Sequence, residues 1–190
     1  MIKRIFLEGA SETTTTAVLV RAAPPASKPK PDRKHVSLLF GDIVGSTELL
    51  AEMGDLKWMD VVSAYYAIVR REHKFFGGHY LTTIGDGFLA GFDHAMNAVD
   101  CASAILRSVK GLGLKMRIGV HAGECFDMGE QLVGLTVHVG ARIAATAAEG
   151  EVLVSDSVKN QIADSDSRFV DRGTHNLKGV PGEWRLFGAR

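Results

Sequence analysis

From Lys115 to Cys125 the chain alternates, with Met116, Ile118 and Val120 set against Arg117, Gly119 and His121. A period of two predicts a strand with one face in a core. His35 to Gly41 is apolar almost throughout, which predicts a strand buried on both faces. Asp42 follows it, and a short helix is expected from Ser46 to Gly54. Met59, Val62, Tyr65, Tyr66, Val69 and Phe76 recur at helical spacings behind Asp55, and Gly77-Gly78 stops the pattern. Strands at His79–Thr83 and Phe88–Phe92 flank Ile84-Gly85-Asp86-Gly87, a hairpin with a carboxylate at its tip. Asp93 is placed to cap a helix whose face is Met96, Val99, Ala102, Leu106 and Val109, ending at Gly111 and Gly113. Beyond the long strand come an Ala-rich helix at Thr136–Ala148, a strand at Glu151–Val154 and a short helix at Asp156–Ile162. Two last strands, Arg168–Leu177 and Trp184–Phe187, close the pattern.

This order puts hairpins and crossovers in one sheet. It predicts an α+β fold, a ferredoxin-like or palm-type sandwich whose mostly antiparallel sheet carries helices on one face. Residues 1–34 stand apart. Short strands are conceivable at Ile2–Leu7 and Ala17–Val20, but Pro24, Pro25, Pro29 and Pro31 make this an N-terminal arm or Pro-rich linker, leaving 35–190 as one domain. The arm holds seven basic and three acidic residues, while the whole chain balances 22 Lys and Arg with 22 Asp and Glu. Zero net charge gives no general attraction to nucleic acid or to anionic membranes. Cys101 and Cys125 have no metal-ligand spacing and read as buried free thiols in a reducing compartment. No apolar run approaches the roughly 18 residues of a membrane span. With no signal-peptide pattern either, the expected location is the cytoplasm.

Chemistry changes this picture at two places. Asp42 leaves a buried strand just before Gly45, Ser46 and Thr47 open a helix. A carboxylate beside free N–H groups at a helix start can hold a metal and cradle phosphates. The ordinary alternative is a turn aspartate with Ser46 or Thr47 as the helix cap. Asp86 likewise ends a strand at a Gly-rich turn. If the two strands are neighbours, the carboxylates face each other, and like charges that close need a cation or a shared proton. The alternative is two unrelated turn aspartates. His138 and Arg142, four apart, share one helix face. The arginine serves either a surface ion pair or a clamp for charge developing on a phosphoryl group.

Six blocks then occur in order: Phe40-Gly41-Asp42-Ile43-Val44-Gly45-Ser46-Thr47-Glu48; Gly77-Gly78 leading to Thr83-Ile84-Gly85-Asp86-Gly87-Phe88; Arg117-Ile118-Gly119-Val120-His121; Gly134 through Val137-His138 to Gly140-Ala141-Arg142-Ile143; Gly150-Glu151-Val152-Leu153-Val154-Ser155; and Leu177-Lys178-Gly179-Val180-Pro181-Gly182-Glu183-Trp184. Together they resemble the catalytic domain of class III adenylate and guanylate cyclases, of the bacterial adenylate cyclase type, over about 35–190. The resemblance implies conversion of a nucleoside triphosphate, ATP or GTP, to the cyclic 3′,5′-monophosphate and pyrophosphate, in a signalling pathway. It implies two Mg²⁺ or Mn²⁺ ions held by Asp42, Asp86 and the carbonyl of Ile43. Gly45, Ser46 and Thr47 would meet the phosphates. Arg142 matches the transition-state arginine, and His138 stands where many members have Asn. Lys178 matches a phosphate-binding lysine. The implied assembly is a head-to-tail homodimer whose two sites are each shared between chains, without a nucleic-acid partner.

Two positions depart from the family pattern. Thr82 stands where adenylate cyclases carry a Lys, and Gln131 where they carry an Asp, the pair that reads the base. Gln offers both a donor and an acceptor, so it suits either purine. Chemistry on the phosphates is expected to survive with relaxed base choice. The alternative is a weak or inactive cyclase-like domain acting as a nucleotide-binding or dimerisation module.

Overall fold

Strand β1 (Asp32–Ile43) is buried continuously from Val36 to Gly41, as its unbroken apolar run requires. In the computed structural model the described residues are 32–129, 131–163 and 165–190; residues 1–31 of the arm, with its conceivable strands, lie outside them, whereas residues 32–34 open β1. Helices α1 (Ser46–Met53) and α2 (Asp55–Phe75) follow, then the hairpin of β2 (Tyr80–Ile84) and β3 (Gly87–Phe92). Helix α3 (Ala95–Val109) and one 3₁₀ turn lead to β4 (Met116–Asp127), a short β5 (Leu132–Val133) and α4 (Leu135–Thr146). The chain ends with β6 (Val152–Ser155), α5 (Asp156–Lys159), α6 (Ser165–Arg168), β7 (Phe169–Asn176) and β8 (Glu183–Ala189). The two-residue β5 and the four-residue α6 are too short to leave a period in the sequence.

The strands form one sheet in the order β2-β3-β1-β4-β6-β8-β7, with β5 added to β4. Up to β4 this is the ferredoxin-like arrangement, two split βαβ units whose strands interleave. Every pairing is antiparallel except β4 with β6. A parallel pair needs a crossover, and α4 supplies it.

Alternation along the strands divides the core. Leu39, Met116, Ile118, Val120 and Val154 face α2 and α3, meeting Tyr65, Val69, Val99 and Ile105. Val36, Leu38, Phe40 and Leu89 face the other way, towards Ala144 of α4, and Leu153 and Leu186 pack with Val139 and Ile143. Helices therefore cover both faces of the sheet, which corrects the expectation of one covered face. On the polar side of β4, His121 is 6% exposed because α4 lies over it. The approach is backbone against backbone. A Cβ at Gly119 would sit 2.2 Å from the Ala144 nitrogen, and one at Gly140 would sit 2.5 Å from the Phe40 ring.

One helix start also differs from expectation. His94, not Asp93, holds the N-cap position of α3, without a side-chain capping bond. Strand β3 pairs through Phe92, so Asp93 is spent on the bend, where it lies 3.6 Å from His79. Both cysteines are buried free thiols, and burial pushes the Cys101 thiol up to about 12. Among the described residues, no helix is long and apolar enough to cross a membrane.

Candidate functional site

The β1–β3 register pairs Gly41 with Phe88. One step further, Asp42 stands opposite Gly87, so Asp86 at the hairpin tip is its neighbour across the strands. Glycine at 87 permits this: a Cβ there would lie 3.0 Å from the Gly41 carbonyl oxygen and 3.4 Å from the Asp42 Cβ. The two carboxylates thus come to one end of the sheet, as the sequence alone could only pose conditionally.

Arg117, directly across from Asp42 on β4, clamps it. Its Nε donates to Oδ1 at 2.8 Å and its Nη2 to Oδ2 at 2.8 Å, a two-pronged charge-assisted contact. That bond raises the Arg117 pKa further above its ordinary value. The sequence places Arg117 on the polar side of β4 and at the head of the third block, without a partner. The signal it lacked was the β1–β4 register, which makes an arginine the cross-strand partner of the aspartate.

The site continues into two depressions. A cavity of about 190 Å³ is lined by Asp42 with Phe40, Ile84, Phe88, Ala141 and Ala145. A second, of about 210 Å³, is lined by Asp86 with Ser46, Thr47, Leu50 and Trp58. Gly45, at φ 69°, holds the N-cap position of α1, and no side chain caps that helix. Ser46 and Thr47 are therefore not the caps that the ordinary reading made them, and the N–H groups of the first turn take no side-chain capping bond. Ile43 closes β1 with its side chain in the core. Below the tip, the Tyr66 hydroxyl donates to the Gly85 carbonyl, and the Tyr65 hydroxyl is buried without a partner among the described residues.

The remaining candidates lie elsewhere. Thr82 is half-buried on β2 and pairs with Leu89, two positions short of the tip. His138 and Arg142 are exposed on α4. Gln131 is exposed in the turn after β4, where its carbonyl accepts from the Met128 N–H at 2.9 Å. Strand β4 runs ten residues from Arg117 to Asp127, which at the ordinary rise is about 33 Å. Gln131 is thus at the far end of the sheet from Asp42. Lys178 is exposed in the β7–β8 turn, at that same far end, since β8 runs antiparallel to β6 and β6 parallel to β4. One chain gathers Asp42, Ile43, Asp86, Gly45, Ser46 and Thr47 and does not bring Gln131 or Lys178 to them.

The donor set at the tip is oxygen only, one carboxylate near the end of β1 and one in the β2–β3 turn, and among the described residues no three His, Cys, Asp or Glu side chains converge on one point. This fits a hard divalent cation that keeps positions for water or phosphate and does not fit a closed structural metal cage.

Midway along β4, His121 makes a buried polar cluster under α4. Its Nδ1 lies 2.8 Å from Ser155 Oγ, its ring meets Trp184 edge-on at 5.6 Å, and Ser157 Oγ donates to the Ala122 carbonyl at 2.8 Å. Burial lowers its pKa to about 4.

The chain is 29% identical over 164 residues to putative adenylate cyclase 3 of Rhizobium meliloti, an alignment covering 78% of this chain and 27% of that protein. It is 26% identical over 171 residues to the pH-sensitive adenylate cyclase of Mycobacterium tuberculosis, covering 87% and 43% respectively. It therefore spans less than half the length of either relative. Its fold is similar to the crystal structure of the adenylyl cyclase CyaB from P. aeruginosa, with a TM-score of 0.78 at 22% identity, covering 85% of this chain and 96% of that one. The family model of the adenylate and guanylate cyclase catalytic domain matches residues 29–187, and the chain belongs to that family.

Proposed function

We propose that this domain converts ATP, with GTP as second choice, to the cyclic 3′,5′-monophosphate and pyrophosphate, as a head-to-tail homodimer in a cytoplasmic signalling pathway. The observation that carries the reading is the meeting of Asp42 and Asp86 at one sheet end, beside a helix start without a side-chain cap. In the reaction the 3′-oxygen bonds to the α-phosphorus, the bond to the pyrophosphate oxygen breaks, and the 3′ proton leaves. Two Mg²⁺ or Mn²⁺ ions, when bound, would acidify the 3′-hydroxyl and neutralise the triphosphate. Asp42, Asp86 and the Ile43 carbonyl would hold them. The N–H groups of Gly45, Ser46 and Thr47 would orient the phosphates. Arg117 keeps the Asp42 carboxylate aimed.

The groups that act on the other side of the substrate come from a second chain. Arg142 would stabilise the charge developing at the α-phosphate, His138 would orient the ribose side, and Lys178 would hold the phosphates. Thr82 and Gln131 would face the base. The separation of about 33 Å along β4 supports this division, because Gln131 of one chain cannot reach its own Asp42. An apolar patch at the β4–β5 end also supports it: Phe126, Met128, Val133 and Leu135 are 41%, 59%, 46% and 56% exposed and offer a surface for a second copy.

The test is product formation from ATP and from GTP with Mg²⁺ or Mn²⁺, resolved by chromatography. Asp42→Ala and Arg142→Ala should each abolish it. Mixed together, the two dead variants should regain about a quarter of wild-type activity, since half the dimers are mixed and each has one intact site. Absence of product from the wild-type protein under every combination refutes the enzyme. Nucleotide binding without turnover would favour the second reading, a nucleotide-sensing or dimerisation module, which the uncharged Thr82 and Gln131 favour.

A further inference from the structure

The carboxylate of Asp86 stands on weak local ground. It sits in a two-residue turn closed by the Ile84–Gly87 pair, and β2, which leads into it, is an edge strand held on one side only. Thr83, Ile84 and Gly85 are all exposed. A turn with so little cover needs a support, because a metal ligand that wanders loses affinity for its ion.

We propose that Tyr66 is the positioning residue for Asp86: from the middle of α2 its hydroxyl grips the turn on both sides of the carboxylate and sets where that ligand stands relative to Asp42. The hydroxyl oxygen lies 2.6 Å from the Gly85 carbonyl oxygen and 3.2 Å from that of Gly87. One proton serves the two acceptors. The first contact fixes the peptide plane leading into Asp86, and the second ties down the residue after it. The phenol itself is held, since the Tyr65 and Tyr66 rings pack with centroids 4.8 Å apart on a 21-residue helix. Burial and the nearby Asp86 carboxylate both raise the Tyr66 pKa, so the hydroxyl keeps its proton at neutral pH.

Tyr65 is the internal contrast. It is fully buried and feels the Asp86 and Asp42 carboxylates, yet its hydroxyl has no partner among the described residues and holds no part of the turn. Outer groups that orient metal ligands commonly govern affinity by a factor of ten or more. The inference rests on the metal-binding reading of Asp42 and Asp86 and adds the group that makes Asp86 a fixed ligand.

The experiment uses the full chain and Mn²⁺ alone as probe, with free ion read by electron paramagnetic resonance. Tyr66→Phe keeps the ring and its packing and deletes only the hydroxyl. Its Mn²⁺ dissociation constant should rise about tenfold. The half-saturating Mn²⁺ concentration for cyclisation should shift by the same factor, with kcat recovered at saturating metal. Tyr65→Phe should leave the Mn²⁺ dissociation constant unchanged, and thermal melting should show both variants folded. A Tyr66→Phe protein that binds Mn²⁺ like the wild type overturns the proposal, as does an equal loss in Tyr65→Phe. If the wild type binds Mn²⁺ but makes no cyclic product, the enzyme reading fails while the comparison of the two tyrosines still decides this one. A wild type that binds no Mn²⁺ overturns both.

Discussion

Acid should unfold this domain through His121. In the unfolded chain its imidazole titrates near 6.5, whereas burial holds the native value at about 4. A group whose native pKa is depressed in this direction is neutral in the fold and charged in the unfolded chain between the two values. The unfolded state then binds more protons, so stability falls as pH falls through that window and is fully present above it. At pH 5 the loss relative to pH 7.5 is about 2 kcal/mol, and near pH 4 it is about 3 kcal/mol. Against a total of roughly 5–15 kcal/mol for a typical domain, that is a large share. Nothing in the pocket offsets the charge, since the ring faces Ser155 and the edge of Trp184. The assay is urea unfolding at a series of pH values for the wild type and for His121→Asn, which keeps a polar atom near the Nδ1 position. Carboxylates and His73, whose pKa is also lowered by burial, cancel in the difference between the two proteins. The wild type should lose about 2 kcal/mol more than the variant between pH 7.5 and pH 5. Parallel pH curves for the two proteins would refute the reasoning.

Two further outcomes can be checked directly. Gly119→Ala should destabilise more than Gly140→Ala, by about 1–3 kcal/mol in thermal unfolding, because its new methyl meets the backbone of Ala144 whereas the other meets a Phe40 ring that can turn. Thr82→Lys combined with Gln131→Asp should raise ATP turnover over GTP turnover, in keeping with hydrogen bonds to charged groups worth about 1.5–3 kcal/mol each; unchanged base preference would remove those positions from base reading.

The order of the elements was legible because each strand and helix carries its own period. Asp42 and Asp86 were each visible as turn carboxylates, but their meeting depends on a register that pairs residues far apart in sequence. Arg117 was hidden for the same reason. The second covered face was missed because β4 has an alternating pattern, and a glycine at 119 reads as polar-side filler until a helix is laid on it. Gly119 and Gly140 together are the signal for that contact, small residues on two elements at one crossing. Tyr65 and Tyr66 read only as a helical stripe, since a hydroxyl's partner cannot be seen from spacing.

That glycine crossing has a consequence for motion. Helices cushioned by long side chains can slide or roll by repacking those chains. Helix α4 has no such cushion over β4, where its backbone at Ala144 touches the strand at Gly119, and a ring from β1 fills the notch at Gly140. The helix is therefore geared to the sheet. Arg142 and the Asp42 end of the same chain move as one piece, so in the homodimer proposed above any change in the distance between one chain's arginine and the other's carboxylates would be a rotation of whole subunits against each other.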